Sequence, residues 1–315
     1  MVVYSSEDRV CSEPILKDFE RDTGIHIVPV FDKESALVVT KRLIDEKDDP
    51  QADVYWANEP VHPDEMKALG ITQPYLSPNA AAFPAMFKDP EGHWTAFSAR
   101  ARVLDVDSVA RDKPGSILAY ADPRWRGRAV LANPVLNTTC FTLTALFNAW
   151  GDDRAWDFLN RVMSNGVTIS PSNPDSAAAV ASGRAAFSLV DIDDALAAVR
   201  QNKRLEIRYP DQEKNGLGCF MVANAVTLIR GARHPDTARR LIDYLLTAQT
   251  QRKLAFSPCA QTPLSRGIEV PATVRRIEDL RVMPVNYSRI RERAEALRPR
   301  FQAWAGLTPA SPTPR

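Results

Sequence analysis

The sequence predicts an α/β protein built of two lobes, and three observations support this class. The first sixty residues alternate between strand and helix patterns, which is typical of a parallel sheet covered by helices. The chain has 315 residues, a length that fits two domains of ordinary size. An apolar run at 185–190 is followed at once by acidic residues and a helical pattern, as expected at the carboxyl edge of an open α/β sheet.

The composition excludes several classes of protein. A net charge of +1 argues against a dedicated nucleic-acid binder, because such proteins need a basic surface. No apolar run is long enough to cross a bilayer. Met1 is followed directly by a strand pattern, so no signal peptide is recognised, and the chain is either cytoplasmic or a mature form with an added start Met. The four cysteines lie at wide spacings, which excludes a zinc-finger pattern and leaves disulfides or buried thiols.

The first part of the chain predicts three strands separated by two helices. The strands lie at 2–4, 25–31 and 52–56, and the helices at 14–22 and 35–46. Gly24 follows the first helix at the position where a left-handed residue ends helices. The chain is therefore predicted to begin with a parallel sheet.

The rest of the chain also contains strand and helix patterns, with longer connections between them. Arg100 and Arg102 lie two residues apart in an extended segment, so they share one face of it. The predicted strands are 94–104, 129–132, 167–170, 185–190, 204–209 and 219–227. The predicted helices are 141–150, 156–162, 172–180 and 235–248, and 307–315 is predicted to be disordered.

Polar residues follow three of the predicted strands, and the richest group follows 185–190. Asp191, Asp193 and Asp194 lie there, at the start of a helical pattern. Either Asp193 or Asp194 alone is explained as a helix cap, but three acids exceed what one cap requires. The other strand ends offer Ser6, Asp8, Asn58 and Glu59.

Six short motifs occur along the chain: residues 3–6 (VYSS), 20–25 (a helix end of the form E-x-x-TGI, preceded by Phe), 52–56 (ADVYW), 98–103 (S-x-R-x-RV), 122–128 (DPRWRGR) and 263–264 (PL). In this order they resemble the motifs of bacterial periplasmic ferric-iron-binding proteins, the solute-binding components of ABC importers, and the resemblance covers residues 2–266. The resemblance implies a two-lobed solute-binding fold of the type II kind. Each lobe is a sheet flanked by helices, a two-strand hinge joins the lobes, and ligand binding in the cleft closes it.

The resemblance carries over to metal-binding positions with substitutions. The tyrosine pair that holds iron in the family falls on Asp193 and Asp194, and the family's histidine falls near Asp8. The family's acidic ligand falls on Asn58, with Glu59 next to it. The signature tyrosine ligands are thus replaced by carboxylates, which also suit Mg²⁺, Ca²⁺ or Mn²⁺. Together with Asp191, these acids are expected to bind a hard metal ion.

A second set of positions matches the family's synergistic anion site. These positions are Asn137, Thr138, Thr139 and Asn173, supported by Arg100 or Arg102. Trp56 beside Glu59 suits an ammonium compound through a cation–π contact, or packs the lobe as an ordinary strand residue. Ser6 in the turn after the first strand completes the expected ligand-binding set.

The resemblance implies a periplasmic or extracytoplasmic binding protein that captures iron or another hard cation for an ABC importer. The metal is then the transported ligand, with a co-bound anion and no organic cofactor. The expected partner is the importer's permease, with no nucleic acid and a monomeric chain. The alternative is an organic solute on the same fold, either a polyamine or other ammonium compound or a phosphate ester. An enzyme is not expected, because the sequence has no nucleophile elbow, Gly-rich phosphate loop or His-Glu-x-x-His run.

The resemblance also implies a domain division. The first lobe comprises 1–99 and 222–270 and the second 100–221, with C-terminal helices at 271–306 packing on the lobes. Cys219 lies in the strand that returns the chain to the first lobe, and Cys259 precedes the loop at 263–264 of that lobe. We therefore predict a disulfide between Cys219 and Cys259, a bond that would fit an oxidising compartment.

Overall fold

The computed structural model describes residues 1–31, 36–201 and 204–308, together with every side chain in these ranges except that of Asn137. The chain divides into two compact units. Unit 1 comprises Met1–Ala101 and Met221–Leu280, and unit 2 comprises Arg102–Phe220 and Arg281–Arg315. Ser35, predicted as the first residue of a helix, and 309–315 of the predicted disordered tail lie outside the described residues.

Unit 1 is a mixed sheet with helices on both faces. Its strands are β1 (Val2–Ser5), β2 (Val28–Phe31), β3 (Val54–Ala57), β4 (Thr72–Gln73), the first part of β5 (Thr95–Asp107), β10 (Met221–Ile229) and β11 (Thr262–Pro263), and its helices are α1 (Arg9–Thr23), α2 (Ala36–Asp45), α3 (Val61–Ala68), α8 (Pro235–Leu245) and α9 (Ala248–Phe256). The strand order is β2-β1-β3-β10-β5. The first three strands are parallel, as predicted, and β10 runs antiparallel to both β3 and β5.

Two apolar cores cover the two faces of this sheet, because successive side chains of a strand point to opposite faces. On β3, Val54 and Trp56 belong to the core that α1 and α8 cover, and Tyr55 belongs to the core beneath α2. β1 divides in the same way between Val3 and Tyr4. This alternation decides which of the two cores each side chain of these strands joins.

Unit 2 is a second sheet with its own helices. Its strands are the last part of β5, β6 (Ala129–Ala132), β7 (Thr168–Ser170), β8 (Phe187–Asp191) and β9 (Leu205–Arg208), and its helices are α4 (Asn137–Trp150), α5 (Asp152–Ser164), α6 (Asn173–Ala181), α7 (Ile192–Gln201) and α10 (Tyr287–Trp304). β5 runs antiparallel to β8 and β9, and β6 lies parallel to both β7 and β8. The carboxyl ends of β6, β7 and β8 therefore meet at one edge.

Helix α1 begins earlier than the sequence predicts. The sequence predicts a helix that opens at Pro14, a residue best tolerated in the first turn, but the helix runs from Arg9 through it. Buried residues before and after the proline hold this segment, with Cys11 on one side and Ile15 and Leu16 on the other. Gly24 ends the helix with φ of 70°, which confirms the predicted left-handed cap.

The predicted disulfide between Cys219 and Cys259 is wrong. Cys259 bonds to Cys11, with 6.3 Å between the two Cα atoms, and Cys140 and Cys219 are buried thiols outside this disulfide. The reason is that α1 packs against α9, whose end leads to Cys259. Cys219 belongs to unit 2, where its Sγ donates to the carbonyl oxygen of Arg102 at 3.0 Å.

The length and hydropathy of the helices decide whether any of them could span a membrane. Among the helices of the described residues, none is long and apolar enough to cross a bilayer.

Candidate functional site

Arg102 is the centre of a buried polar cluster in unit 2. Its Nη1 donates to Asp191 Oδ1 at 3.0 Å, and also to Thr138 Oγ1 and Asn173 Oδ1, each at 3.2 Å. Its Nη2 donates to Thr139 Oγ1 at 3.3 Å. Only 1% of the Arg102 side chain is exposed, so these bonds replace the water that a guanidinium would otherwise bind. We call these five residues the Arg102 cluster.

Three helices begin at this cluster, because the connections after β6, β7 and β8 each turn directly into a helix. Thr138 and Thr139 lie in the first turn of α4, and Asn173 is the first residue of α6. Asp191 is the last residue of β8 and precedes α7. Helix N-termini carry partial positive charge and point N–H groups outward, so three of them around one arginine favour an anion. Asp191 supplies a compensating negative charge inside the cluster.

The three acids predicted from the sequence lie close together. Ligand oxygens of Asp191, Asp193 and Asp194 all lie within 4.8 Å of one another. Asp191 is buried, whereas Asp193 and Asp194 lie partly exposed in the first turn of α7. The carboxylate of Asp191 already accepts hydrogen bonds from Arg102 and from Thr138 Oγ1, the latter at 3.1 Å. Asp193 and Asp194, which lie beside this bonded carboxylate, stay predicted donors to a cation.

The expected residues of unit 1 form a separate polar group at the ends of β1 and β3. Ser6 Oγ donates to Asn58 Oδ1 at 3.0 Å, and the backbone N–H of Asn58 donates back to Ser6 Oγ at 3.1 Å. Ser6 Oγ also lies 3.1 Å from the phenol oxygen of Tyr55. Burial raises the pKa of Tyr55 to about 12, so this phenol stays protonated at neutral pH.

The acids and the arginine of unit 1 occupy different surroundings. Asp8 is exposed just before α1, whereas Glu59 is buried with an Oε2 that lies 3.7 Å from His62 Nε2. Arg100 is largely buried, and its Nη2 donates to the carbonyl oxygen of Asn58 at 3.3 Å. The structure thus brings Arg100 to the Ser6 and Asn58 group.

Trp56 lies in the core of unit 1. Its side chain is fully buried, and its ring meets that of Phe97 edge to face with 5.3 Å between the ring centroids. Of the two interpretations of Trp56, burial favours packing over a cation–π contact with a ligand.

The sequence does not decide which arginine, Arg100 or Arg102, supports the predicted anion positions. The anion positions admit either Arg100 or Arg102, and the structure joins Arg102 to Thr138, Thr139 and Asn173. Arg100 stays a predicted ligand-binding residue, and it lies beside Asn58 in unit 1. Arg100 and Arg102 lie two residues apart on β5, so their local sequence patterns are alike. The chain passes from unit 1 to unit 2 between Ala101 and Arg102, and the two arginines therefore belong to different units. Asn137 is the first residue of α4, and its side chain lies outside the described part of the structure.

The chain is similar to solute-binding proteins in sequence and in structure. It is 25% identical to Iron uptake protein A1 of Synechocystis over 287 residues, which cover 84% of this chain and 78% of that protein. A Trichodesmium protein in complex with iron and citrate ligands superposes with a TM-score of 0.86 at 18% identity, covering 98% of this chain and 99% of the other.

A second structure shows that this fold also holds an organic phosphate. It is the periplasmic binding protein AfuA from Actinobacillus pleuropneumoniae with fructose-6-phosphate bound. Its TM-score is 0.79 at 21% identity, covering 98% of this chain and 99% of the other. The family described as Bacterial extracellular solute-binding protein matches residues 2–255. The chain belongs to the bacterial extracellular solute-binding proteins and has their two-lobed α/β fold.

Proposed function

We propose that the protein is the periplasmic solute-binding component of an ABC importer and that it captures a hard metal cation together with an anion. The observation that carries this proposal is the juxtaposition of two opposite binding elements in unit 2. The carboxylates of Asp193 and Asp194 lie within 4.8 Å of Asp191, which is itself bonded to Arg102. A cation and an anion bound side by side would match this arrangement.

The carboxylates would act as oxygen donors to the cation. Oxygen-only sites suit iron in the 3+ state as well as Mn²⁺, Mg²⁺ and Ca²⁺, so the donor set defines hard cations as a class rather than one element. Iron is favoured within this class, because Iron uptake protein A1 and the iron-bound Trichodesmium protein are relatives of this chain. Asp8 and Glu59 of unit 1 stay predicted donors, and closure of the lobes around the ligand stays a prediction.

The Arg102 cluster would hold the anion. Three helix N-termini and a guanidinium are directed at this point, and Asp191 neutralises only one positive charge. Within the described residues, Nε of Arg102 has no hydrogen-bond partner, so the guanidinium retains a donor. A carboxylate anion such as citrate is a suitable probe, since the iron-bound Trichodesmium protein contains it.

Thermal unfolding of metal-stripped protein tests the proposal. A panel of ferric citrate, Fe²⁺, Mn²⁺, Ca²⁺ and Zn²⁺ is added at a hundred times the dissociation constant, where a ligand adds about 2.7 kcal/mol. We expect a hard cation to raise Tm by about 4 °C. The double variant Asp193→Asn with Asp194→Asn should lose this shift.

A matched control uses another pair of acids in the first turn of a helix. Asp152 and Asp153 begin α5 and are exposed, so their double replacement by Asn removes the same charge at an equivalent position. The control variant should keep the full shift. An unchanged shift in the Asp193 and Asp194 variant would refute these residues as ligands.

A phosphate ester is the second candidate, and the Arg102 cluster specifically favours it. Phosphate oxygens suit an arginine surrounded by helix N-termini, and AfuA binds fructose-6-phosphate. A sugar phosphate added in the same thermal assay would then stabilise the metal-stripped protein. Asn173→Ala would weaken this effect, while Asp193→Asn would not. Stabilisation by spermidine instead would indicate that the acids bind an amine.

A further inference from the structure

A second group of metal-binding side chains lies in unit 1. Cys11, Cys259 and Glu7 are all buried, and one ligand atom from each lies within 4.8 Å of the other two. The two cysteines form the disulfide, with 6.3 Å between their Cα atoms. A tetrahedral Zn²⁺ site has Zn–S bonds of about 2.3 Å, which places two thiolates about 3.8 Å apart. The 6.3 Å between the Cα atoms leaves room for this separation once the sulfur–sulfur bond is absent.

Neighbouring side chains hold all three groups in place. Gln261 Nε2 donates to Glu7 Oε1 at 3.0 Å, which fixes the direction of the carboxylate. Ser257 Oγ lies 3.6 Å from Cys11 Sγ as a hydrogen-bond donor and accepts from the backbone N–H of Cys259 at 3.2 Å. Such contacts orient ligands in protein metal sites, and a donor to sulfur favours the thiolate that metals require.

We propose that Cys11, Cys259 and Glu7 form a binding site for a thiophilic divalent cation such as Zn²⁺ when both cysteines are reduced to thiols. Metal binding displaces the thiol protons and involves no change in oxidation state. The disulfide forms instead when the two thiols transfer two electrons and two protons to an external disulfide, which becomes two thiols. The metal-bound dithiol and the disulfide therefore exclude each other. A newly synthesised chain carries thiols, so the metal-binding state precedes the oxidised one.

The ligand chemistry separates this site from the one proposed in unit 2. Two thiolates and one carboxylate select soft or borderline cations such as Zn²⁺ and Cd²⁺, whereas Asp193 and Asp194 offer only oxygen. Glu7 also lies between Ser6 and Asp8, which are predicted ligand residues. A cation at Glu7 would therefore lie in the turn that holds these two predicted ligand residues. The inference does not depend on the proposed transport function.

Cadmium binding to the full chain tests the proposal, because Cd²⁺–thiolate bonds absorb in the near ultraviolet. The disulfide is reduced under nitrogen with a phosphine, which takes an oxygen from water to become the phosphine oxide while the disulfide becomes two thiols. We expect absorbance that saturates at one Cd²⁺ per dithiol chain, and none from the disulfide form. Glu7→Gln should weaken Cd²⁺ binding tenfold or more.

The two cysteines outside the disulfide supply the matched controls. Cys259→Ser should abolish the absorbance. Cys140→Ser and Cys219→Ser should leave it intact, because Cys140 and Cys219 lie in unit 2 and do not belong to the metal-binding group. The absence of absorbance in the dithiol protein would overturn the proposal. So would an absorbance that only the Cys140 or Cys219 replacement removes.

A measurement on the unmodified chain covers the case in which a variant fails to fold. Zn²⁺ should protect Cys11 and Cys259 of the dithiol protein from alkylation, as read by peptide mass spectrometry, and should slow their oxidation by an external disulfide. Equal alkylation rates with and without Zn²⁺ would contradict the site.

Discussion

Arg102 and Asp191 form an ion pair that is removed from water, with 3.0 Å between Nη1 and Oδ1 and no more than 5% of either side chain exposed. The pair joins β5 to the end of β8, where the two strands are also in register. Transfer of both charges from water costs several kcal/mol each, and their attraction with the added bonds of Thr138 offsets that cost. The pair therefore fixes the geometry of the cluster more than it adds to stability.

The first prediction is that removal of one partner destabilises unit 2 strongly. Asp191→Asn leaves the Arg102 guanidinium buried without a counter-charge, which should lower the free energy of unfolding by about 3–5 kcal/mol. Urea denaturation measures this loss. The double variant Arg102→Met with Asp191→Leu should lose less than the sum of the single variants, because it buries no uncompensated charge.

An exposed pair on α5 provides the control for this prediction. Arg161 and Asp157 are bonded at 3.2 Å, but more than half of each side chain is exposed. Asp157→Asn should therefore change the free energy of unfolding by less than about 1 kcal/mol. If Asp191→Asn cost no more than this control, the buried pair would not organise the cluster.

Local patterns predicted the elements that carry the site. The apolar run at 185–190 followed by acids gave a strand and a helix, and the structure has β8 ending at Asp191 and α7 beginning at Ile192. The parallel pairing of the first three strands also agrees with the prediction. Both predictions rest on hydrophobic alternation and turn residues, which are local properties of the sequence. Asp193 and Asp194 consequently lie at a sheet edge as expected.

Pairings between distant segments could not be predicted in this way. Cys11 and Cys259 are separated by 248 positions, and only the packing of α1 against α9 makes them neighbours. Arg100 and Arg102 have the same local pattern, and their different partners depend on where β5 passes from one unit to the other. In both cases the open question is which unit a residue joins, and no local spacing encodes that.

The second prediction concerns Asp105, a fully buried acid on β5. Among the described residues, neither of its carboxylate oxygens has a hydrogen-bond partner, and Ser188 is the residue opposite on β8. Burial raises the pKa of Asp105 to about 7, and the nearby charge of Arg102 opposes part of this rise. The folded protein therefore binds this proton more tightly than the unfolded chain, whose Asp has a pKa of about 3.9.

The sign of the pH dependence follows from that difference. The stabilising contribution of Asp105 is fully present below pH about 4 and is lost as the pH rises toward 7. Relative to Asp105→Asn, the wild-type free energy of unfolding should fall on the order of 4 kcal/mol across this interval. Urea denaturation of both proteins between pH 4 and pH 8 measures this difference. A difference that stayed constant with pH would show that Asp105 does not titrate in the window.

The third prediction concerns the disulfide between Cys11 and Cys259. It closes a loop with a sequence separation of 248, so it restricts the unfolded chain strongly and should contribute about 4–5 kcal/mol to stability. Reduction should lower Tm, and Cys11→Ser should lower it by a similar amount and make it insensitive to reductant. Cys140→Ser is the control, because it removes a buried thiol and leaves the bond in place.

A thiol count in denaturant checks the same pairing without variants. The chain has four cysteines and two are bonded, so the oxidised protein should show two reactive thiols and the reduced protein four. Peptide mapping should place the two labels of the oxidised form on Cys140 and Cys219. Labels on Cys11 or Cys259 in the oxidised form would contradict the bond, and with it the tie between α1 and the end of α9. Since α1 follows the turn that holds Ser6 and Asp8, loss of that tie would loosen the predicted ligand residues of unit 1.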